Sequence, residues 1–494
     1  MVRQRIFGAT LALAAAAFGA FIANSYISRL PDHRGLFLVH VEDTVNVPLP
    51  APPRHTVVIV IDGLRKDGAE RLQAARLIAA HGQCFTTDVG QLSVSRPVYA
   101  ELSTGLEQDR TGSRNNDETS PLQVPSLWES ARTAGRSVAA VSELPWWREL
   151  FPRGFDRYEM PPRESDYFAR ELAADLTLIH PIYVDETAHE HGGVSPEYTE
   201  AVDRVDREVS PLVRTIDWQQ DLVLFTADHG HRARGGHGAP APDIEFVLTC
   251  VAGRGVTPSL IRGAIDTKTL GPLLTVLLGI PFPGAMRAGD DELDQIWAVA
   301  SSLPADYLAD RRSAVAKFRA ANAAALKEWG VASGRWPAFY RAQHSRQSYE
   351  WLVALLAPIA ILRWQRRSLL RCLLWVGAVC VAMIGFEIAI RGSFDFNAIN
   401  QRYPFVAGTL VASVLAILAG ATVLRRLSRV TVRDAQSVLV ASLVWTNVGH
   451  ILIHGWPIGF PLPSPVVFFL PFANGIFLLV SGLFLALLFL RRGL

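Results

Sequence analysis

The sequence predicts an α/β domain with a mostly parallel sheet flanked by helices, together with an α-helical domain that crosses a membrane several times. Half of the 494 residues are hydrophobic, which is more than one large soluble domain requires. The apolar excess is concentrated at residues 6–23 and again from about residue 349 to the end. Between these regions lie about 320 residues of mixed composition, enough for one α/β domain with a buried core.

Five short apolar runs predict the strands of the sheet. They lie at residues 56–61, 137–141, 176–184, 221–227 and 244–252, with helical stretches between them at about 69–80, 97–103, 126–134 and 197–215. Runs that are apolar on both faces are typical of buried, mostly parallel strands. The alternation of strands with helices predicts that helices cover both faces of the sheet.

One N-terminal and five C-terminal segments are predicted to cross the membrane. They lie at about 6–28, 349–364, 369–390, 404–424, 435–454 and 465–490. A spanning helix needs about 20 apolar residues, so 349–364 is a marginal span. The predicted order is an N-terminal anchor (1–30), a catalytic domain (31–291), a helical connector that could pack on it (292–348) and a five-helix membrane domain (349–494). We interpret the first segment as an uncleaved anchor, because no clear cleavage site follows it.

Arginines indicate which connections between the spans are cytoplasmic. Three groups stand out: Arg363, Arg366, Arg367 and Arg371; Arg425, Arg426, Arg429 and Arg433; and Arg491 with Arg492. By the positive-inside rule these connections and the N-terminus are cytoplasmic, provided that 349–364 spans. We therefore expect a multi-pass plasma (inner) membrane protein whose catalytic domain is extracytoplasmic, in the periplasm of a bacterium or the lumen of a eukaryote.

Charge and cysteine content limit the partners and the redox state. The net charge is +2, and no Lys/Arg run forms a nucleic-acid patch, so we expect no nucleic-acid partner. Cys84 and Cys250 lie in the central domain without C-x-x-C spacing. An oxidising compartment would allow a disulfide between them, and two buried free thiols are an equally good interpretation.

Acidic and imidazole side chains cluster at the ends of the predicted strands. Asp62 follows the first strand, Asp185 and His189 form D-x-x-x-H, and Asp228-His229 is followed by His237. Ligands of open α/β sheets bind beyond the carboxyl ends of the strands. Mixed Asp/His ligands suit Zn²⁺, with Mn²⁺ as the alternative. Six ligands are too many for one zinc and fit two divalent ions about 4 Å apart.

Several motifs together carry a family resemblance. They are VVIVIDGLRKD (57–67), SVSRPVYAELSTG (93–105), VDETAHEHG (184–192), SPEYTEAVDRVDREV (195–209), FTADHGHRARGGHG (225–238) and IDTKTLGPLLTVLLGIPFP (265–283). In this order they resemble the alkaline phosphatase superfamily, and most of all its nucleotide pyrophosphatase/phosphodiesterase branch and the glycosylphosphatidylinositol ethanolamine-phosphate transferases. The latter are similar in layout as well, with one anchor, an exported catalytic domain and a multi-pass C-terminus.

The resemblance implies a ligand set for each of two metals. It assigns one metal to Asp62, Ser93, Asp228 and His229, and the other to Asp185, His189 and His237. Two positions depart from the family pattern, since Ala188 stands where Gly is frequent and His231 where Met is frequent. Neither departure removes a ligand. We interpret His231 and His191 as neighbours of the site or surface residues rather than ligands.

The two serines before Arg96 are predicted to have different roles. Pro97 favours a helix that starts around 95–97, which makes Ser95 the natural N-cap. Ser93 then remains to present its hydroxyl to a metal and to phosphate at the helix N-terminus. The resemblance agrees, because the family nucleophile stands three residues before this Arg. A sulfatase is disfavoured, because position 92 is Leu.

A neighbouring pair of asparagines is a candidate for binding the substrate. Asn115 or Asn116, with Asn116 preferred, would donate a hydrogen bond to a phosphoryl oxygen, as an Asn does in related enzymes. The alternative is that Asn-Asn-Asp is simply a turn.

The expected function is that of a membrane-bound, two-metal phospho-group transferase or hydrolase. It would transfer phosphoethanolamine or a similar group to or from a lipid or glycolipid, through a phosphoserine-type intermediate. One alternative is a phosphodiesterase or phosphatase that releases its product to water, since both reactions share the first half. An alternative of another class is a lipid transporter with a regulatory outer domain.

Overall fold

The computed structural model describes two compact units of the chain. One unit comprises His33–Ala332, and the other comprises Met1–Asp32 with Ser333–Leu494. The described residues are 2–29, 45–90, 92–111, 113, 116, 120–162, 165, 167–168, 174–238, 241–260, 263–282, 290–321, 369–391, 402–427, 431–454 and 465–491. The predicted span at 349–364 and the connector beyond residue 321 lie outside them.

The first unit is built on one eight-stranded sheet. Its strands are β1 (Thr56–Ile61), β2 (Gly82–Asp88), β3 (Val138–Ser142), β4 (Arg157–Glu159), β5 (Leu176–His180), β6 (Leu222–Ala227), β7 (Phe246–Gly253) and β8 (Gly263–Asp266). Their order is β4-β3-β5-β1-β6-β7-β2-β8, and every strand except β7 runs in the same direction. The predicted mostly parallel sheet is confirmed.

Helices cover both faces of this sheet. The first helix of the chain, α1 (Val2–Arg29), belongs to the second unit. The helices of the first unit are, in chain order, α2 (Lys66–Ala69), α3 (Gln73–Ala79), α4 (Ser95–Thr104), α5 (Gln108–Thr111), α6 (Leu127–Thr133), α7 (Trp146–Leu150), α8 (Tyr183–His191), α9 (Pro196–Arg214), α10 (Pro242–Glu245), α11 (Leu270–Leu278), α12 (Asp290–Val299) and α13 (Ala305–Ala321). Strand β1 sends Val58 and Val60 into one core and Val57, Ile59 and Ile61 into the other. Alternate residues of a strand point to opposite faces, so two helical layers enclose the sheet.

The structure corrects the predicted strand 176–184. Strand β5 ends at His180, and α8 begins at Tyr183. Pro181 lies between them, and its missing N–H cannot continue a sheet ladder. Asp185 is therefore in the first turn of a helix rather than at the end of a strand.

Three strands were not predicted because their sequences carry little strand signal. Strand β2 reads GQCFTTD and mixes polar with apolar residues, while β4 and β8 have only three and four residues. Tertiary pairing with neighbouring strands, rather than an apolar run, stabilises them.

The described part of the predicted connector packs on the α/β unit. Helices α12 and α13 bury Ile296, Trp297, Tyr307 and Val315 in the same core as the sheet. The Arg311 guanidinium, which is fully buried, donates hydrogen bonds to backbone carbonyl oxygens of the unit. These helices therefore extend the α/β unit to residue 321.

The described part of the second unit is helical. Besides α1 it contains α14 (Leu369–Arg391), α15 (Arg402–Leu427), α16 (Val432–His454) and α17 (Pro465–Leu490). Within the described residues, two segments, Val2–Ser25 and Phe472–Leu490, are long and apolar enough to cross a membrane, and Leu374–Ile390 and Val406–Thr422 are shorter apolar helices. The other spans stay a prediction.

Helix α1 packs closely on α17 through glycines. A Cβ on Gly19 would lie 2.6 Å from the carbonyl oxygen of Gly475, and a Cβ on Gly475 would lie 2.8 Å from the backbone nitrogen of Ala23. Small residues allow this approach of two backbones. The N-terminal segment is thus a packed helix of the second unit, and its role as an uncleaved anchor stays a prediction.

A disulfide between Cys84 and Cys250 joins β2 to β7, where the two residues are direct cross-strand partners. The sequence alone was equally consistent with a disulfide and with two buried free thiols at these positions. The bond closes a loop with a sequence separation of 166 residues. Disulfides persist in oxidising compartments, which agrees with an exported domain.

Replacing both Cys84 and Cys250 with Ser should lower the free energy of unfolding by about 2–4 kcal/mol, because the unfolded chain loses a cross-link. Urea unfolding of the full chain in detergent measures this loss. Cys380→Ser is the matched control, since Cys380 is a free cysteine and should change little. An unchanged urea midpoint in the double variant would contradict the prediction.

Candidate metal and phosphoester site

The first group of candidate ligands lies where β1 and β6 end side by side. These strands are parallel and in register to their last residues, so Asp62 and Asp228 emerge next to each other. Both side chains are buried. Asp228 Oδ1 accepts hydrogen bonds from the backbone N–H of Gly63 at 3.0 Å and of His229 at 2.9 Å. The local backbone thereby holds one oxygen of this carboxylate.

One oxygen of each carboxylate lacks a hydrogen-bond partner. Asp62 Oδ1 and Asp228 Oδ2 are buried and accept no hydrogen bond. His229 Nε2 lies 3.5 Å from the first oxygen and 3.3 Å from the second. His229 Nδ1 donates to the carbonyl oxygen of Gly230 at 3.1 Å, so Nε2 keeps its lone pair. Buried polar atoms without partners are costly, and two such oxygens so close to an imidazole nitrogen fit a cation.

The charges in this group repel one another. Burial, and then the charges of Asp62 and Asp185, raise the pKa of Asp228 well above its usual range. Like charges disfavour ionisation of a neighbouring carboxyl, and a bound cation reverses that effect.

The second group combines α8 with the loop after β6. Asp185 and His189 are four residues apart on α8 and therefore share one face of the helix. Asp185 Oδ1 lies 3.3 Å from His189 Nε2 and 3.7 Å from His237 Nε2, and these two nitrogens are 3.1 Å apart. His237 Nδ1 donates to the carbonyl oxygen of Ser93 at 2.6 Å, so its Nε2 carries the lone pair. These atoms also fit a cation.

His231 lies between the ligands and supports one of them. Its Nδ1 accepts the backbone N–H of Gly236 at 3.1 Å, so Nε2 carries the proton and donates to Asp185 Oδ1 at 2.7 Å. The imidazole is fully buried. His231 is therefore a neighbour that orients a ligand, which is one of the two roles that the sequence predicts for it.

Burial keeps most of the imidazoles neutral. It lowers the pKa of His229 and of His237 to about 3 and that of His231 to about 4. Burial also opposes the charged forms of His189 and Asp185. Their mutual attraction outweighs it, so the pKa of His189 is raised and that of Asp185 is lowered well below its usual range. A neutral imidazole is the form that binds metals.

Two glycines allow the groups to approach each other. Gly63 has φ +70, and a Cβ there would lie 2.6 Å from the Cα of Asp185. Gly235 has φ +88, and a Cβ there would lie 2.5 Å from the carbonyl oxygen of Ala188. Larger residues at either position would force α8 away from the strand ends or from the loop that carries His237.

The structure corrects the predicted role of Ser95. The N-cap of α4 is Val94, whose side chain makes no cap, and Ser95 is the first helical residue. Ser95 Oγ lies 3.3 Å from His229 Nε2. Asn116 performs the capping instead, because its Oδ1 accepts the backbone N–H of Arg96 at 3.0 Å, while its Nδ2 donates to Ser95 Oγ at 3.4 Å. The N-cap prediction was wrong because an Asn distant in sequence satisfies the helix.

Ser93 is fully buried beside the second group. Its Oγ accepts the backbone N–H of Gly238 at 3.2 Å, and its carbonyl oxygen accepts the Nδ1 proton of His237. The family resemblance assigns Ser93 to the same metal as Asp62. In the structure, Ser95 also brings a hydroxyl to the first group, since its Oγ lies 3.3 Å from His229 Nε2.

Sequence reasoning missed two residues that contact Asp62. Tyr99 donates a hydrogen bond to Asp62 Oδ2 at 2.5 Å, and His180 Nε2 lies 3.2 Å from the same oxygen. His180 had one available signal, since it is an ionisable residue in the apolar run 176–184. Tyr99 had none, because aromatic residues on a helix are most often core.

Comparison with known proteins gives matches over part of the chain. Residues 114–234 match the family described as type I phosphodiesterase / nucleotide pyrophosphatase. That range contains Asp185, His189, Asp228 and His229, while Asp62 and His237 lie outside it. Among solved structures, murine ectonucleotide pyrophosphatase / phosphodiesterase 5 is 14% identical, with a TM-score of 0.40, over 46% of this chain and 95% of that chain.

Two curated relatives share one activity in their names. GPI ethanolamine phosphate transferase 1 of Mus musculus is 22% identical over 312 residues, which cover 50% of this chain and 33% of that protein. GPI ethanolamine phosphate transferase 3, catalytic subunit, of Homo sapiens is 23% identical over 223 residues, which cover 41% of this chain and 20% of that protein. The chain thus spans a third or less of these relatives. The sequence matches confirm the family resemblance of the motifs: residues 114–234 match the type I phosphodiesterase / nucleotide pyrophosphatase family, and the chain is homologous to the GPI ethanolamine phosphate transferases.

Proposed function

We propose that the α/β unit is a phospho-group transferase that binds two divalent cations, with Zn²⁺ favoured and Mn²⁺ as the alternative. One observation carries this proposal. Two buried carboxylate oxygens, Asp62 Oδ1 and Asp228 Oδ2, have no hydrogen bond and lie beside the His229 imidazole, which contacts the start of α4. Such a group fits a cation and an anionic substrate together.

The two ligand groups divide the cations between them. Asp62, Asp228 and His229 would hold one, and Asp185, His189 and His237 the other. Two cations about 4 Å apart supply the charge that stabilises the attacking and leaving oxygens of an in-line displacement at phosphorus. Hydrogen bonds with neighbouring groups orient Asp62, Asp185, His229 and His237.

Helix α4 provides the place for the phosphoryl group. It has ten residues, and its first N–H groups and positive end attract a phosphate. A serine hydroxyl at this end would attack phosphorus, form an O–P bond and displace the alcohol of the donor, which gives a phosphoserine-type intermediate. Asn116 Nδ2 would donate to a phosphoryl oxygen, because it already reaches Ser95 Oγ.

Geometry favours Ser95 as the nucleophile. Its hydroxyl contacts His229 Nε2 and stands at the first residue of α4. Ser93, which the sequence favours, has its hydroxyl bonded to the Gly238 N–H and its carbonyl bonded to His237. Ser93 remains the second candidate, and a direct test separates the two.

The proposed substrate is a lipid or glycolipid phosphoester, with phosphoethanolamine or a similar group transferred. The names of the homologous transferases support this choice. The two apolar helices support a membrane protein, and the disulfide supports an extracytoplasmic catalytic unit. The proposed multi-pass topology in the inner membrane, with a cytoplasmic N-terminus, rests on the apolar segments and the arginine pattern of the sequence. The alternative is hydrolysis, which the phosphodiesterase description of residues 114–234 favours.

An assay of the full chain with phosphatidylethanolamine and candidate glycolipid acceptors tests the function. Transfer predicts phosphoethanolamine bound to an acceptor, whereas free phosphoethanolamine alone would favour the hydrolase. If neither product forms with Zn²⁺ or Mn²⁺ present, the proposed function is wrong.

Ser95→Ala should reduce turnover by roughly 10³-fold or more, because the attacking oxygen is removed. Ser93→Ala should have a smaller effect, since its backbone carbonyl still accepts the His237 proton. Mass spectrometry of the trapped intermediate measures the position of the group. A phosphorylated peptide modified at Ser93 instead would reverse the assignment.

Zn²⁺ affinity of the metal-free protein should fall as the pH decreases, because protons compete with the cation for the ligands. Burial, and then the charges of Asp62 and Asp185, raise the pKa of Asp228, so for this carboxylate the competition begins at a higher pH than for an ordinary Asp. Calorimetric titration with Zn²⁺ at several pH values measures the affinity. Asp228→Asn should bind Zn²⁺ more weakly and with a smaller dependence on pH. An equal pH dependence in both proteins would contradict the prediction.

A further inference from the structure

Asp62 presents two different oxygens to its surroundings. Its Oδ1 has no hydrogen bond and faces His229 Nε2 at 3.5 Å. Its Oδ2 accepts the Tyr99 hydroxyl proton at 2.5 Å and lies 3.2 Å from His180 Nε2. Neighbouring side chains therefore hold Asp62 through Oδ2, while Oδ1 accepts no hydrogen bond and could bind a cation.

The hydrogen bonds behind Asp62 continue to a third residue. His180 Nε2 lies 2.7 Å from the Tyr99 hydroxyl oxygen, and His180 Nδ1 lies 2.9 Å from Ser142 Oγ. A hydroxyl has a single proton, so Tyr99 can donate to Asp62 only if His180 Nε2 donates to Tyr99. With a neutral imidazole, Nδ1 then accepts the Ser142 proton. In this series of hydrogen bonds from Ser142 through His180 and Tyr99, each group donates to the next one toward Asp62.

Burial and ring packing hold these groups in place. Asp62, Tyr99, Ser142 and His180 are each 2% exposed or less. The Tyr99 ring stacks on Trp147 with centroids 4.2 Å apart and an interplanar angle of 16°. The His180 ring meets the Tyr99 ring edge-on at 5.0 Å. Both rings are packed against their neighbours, so the donor and acceptor atoms keep their positions.

Three different elements bring these residues to the end of β1. Ser142 and His180 are direct partners in the parallel pairing of β3 with β5, and β5 is the neighbour of β1. Tyr99 comes from α4, one helical turn after Ser95. The same helix thus carries the proposed nucleophile and a support for a proposed ligand.

We propose that Ser142, His180 and Tyr99 form a positioning relay that fixes Asp62 Oδ2 and directs Oδ1 toward the cation. The relay rests on the proposed function, since it presupposes a cation at Asp62. Hydrogen bonds to the second oxygen of a ligating carboxylate set its orientation, and their loss typically costs about 10–100-fold in metal affinity or activity.

Tyr99→Phe tests the relay, because it removes the hydroxyl and keeps the stacking ring. In the full chain in detergent, Zn²⁺ affinity of one of the two sites should fall about 10–100-fold, and the other site should keep its affinity. With a chromogenic phosphodiester as the probe, kcat should fall and KM should stay the same. Ser142→Ala, at the far end of the relay, should give a smaller loss of the same kind.

Tyr307→Phe is the matched control. Tyr307 is a buried tyrosine whose hydroxyl donates to the carbonyl oxygen of Val276 at 2.7 Å, in the core behind the sheet. The Tyr307→Phe variant should lose about as much folding stability as the Tyr99→Phe variant, but it should retain wild-type Zn²⁺ affinity. His180→Gln keeps an N–H that can reach Tyr99 and should retain more affinity than His180→Leu.

The outcomes separate the relay from the function on which it rests. If wild-type protein binds two Zn²⁺ ions and Tyr99→Phe binds both as tightly, the relay is wrong and the proposed function stands. If wild-type protein binds no Zn²⁺ or Mn²⁺, both proposals are wrong. Selective loss at one site, absent from Tyr307→Phe, supports the relay.

Discussion

The buried pairing of Asp62 with Asp228 is the constraint on which the rest of the site depends. Two adjacent strands in parallel register deliver two carboxylates to one point away from water. Burial and the repulsion within this pair together raise the pKa of Asp228. The surroundings use one oxygen of each carboxylate and leave the other open. Because one oxygen of each carboxylate accepts no hydrogen bond, the pair can bind a cation, which would offset the repulsion between the two charges.

Two of the imidazoles likewise use one ring nitrogen in a hydrogen bond to the backbone and present the other to the site. His229 and His237 each donate from Nδ1 to a backbone carbonyl and keep the Nε2 lone pair. His231 is reversed, since its Nδ1 accepts and its Nε2 donates to Asp185. A backbone group therefore determines the tautomer of each ring. The tautomer distinguishes the candidate ligands His229 and His237 from the neighbouring His231.

Much of the fold could be predicted from patterns within short segments. All five predicted strands are present, because runs that are apolar on both faces require a buried sheet. The missed strands β2, β4 and β8 are short or partly polar and depend on their partners. The connector was placed outside the catalytic domain because its helices are polar in sequence, yet they bury Ile296 and Trp297 in its core.

By itself, the sequence determined which residues are candidate ligands and at which edge of the sheet they meet, because strand periodicity and residue chemistry are local properties. Only the tertiary structure decided three further points. It joined Cys84 to Cys250, it placed the hydroxyl of Ser95 at His229, and it set Tyr99 and His180 behind Asp62. Each of these contacts links residues that are distant in the chain. No local pattern encodes such a contact, because it depends on how helices and strands pack together.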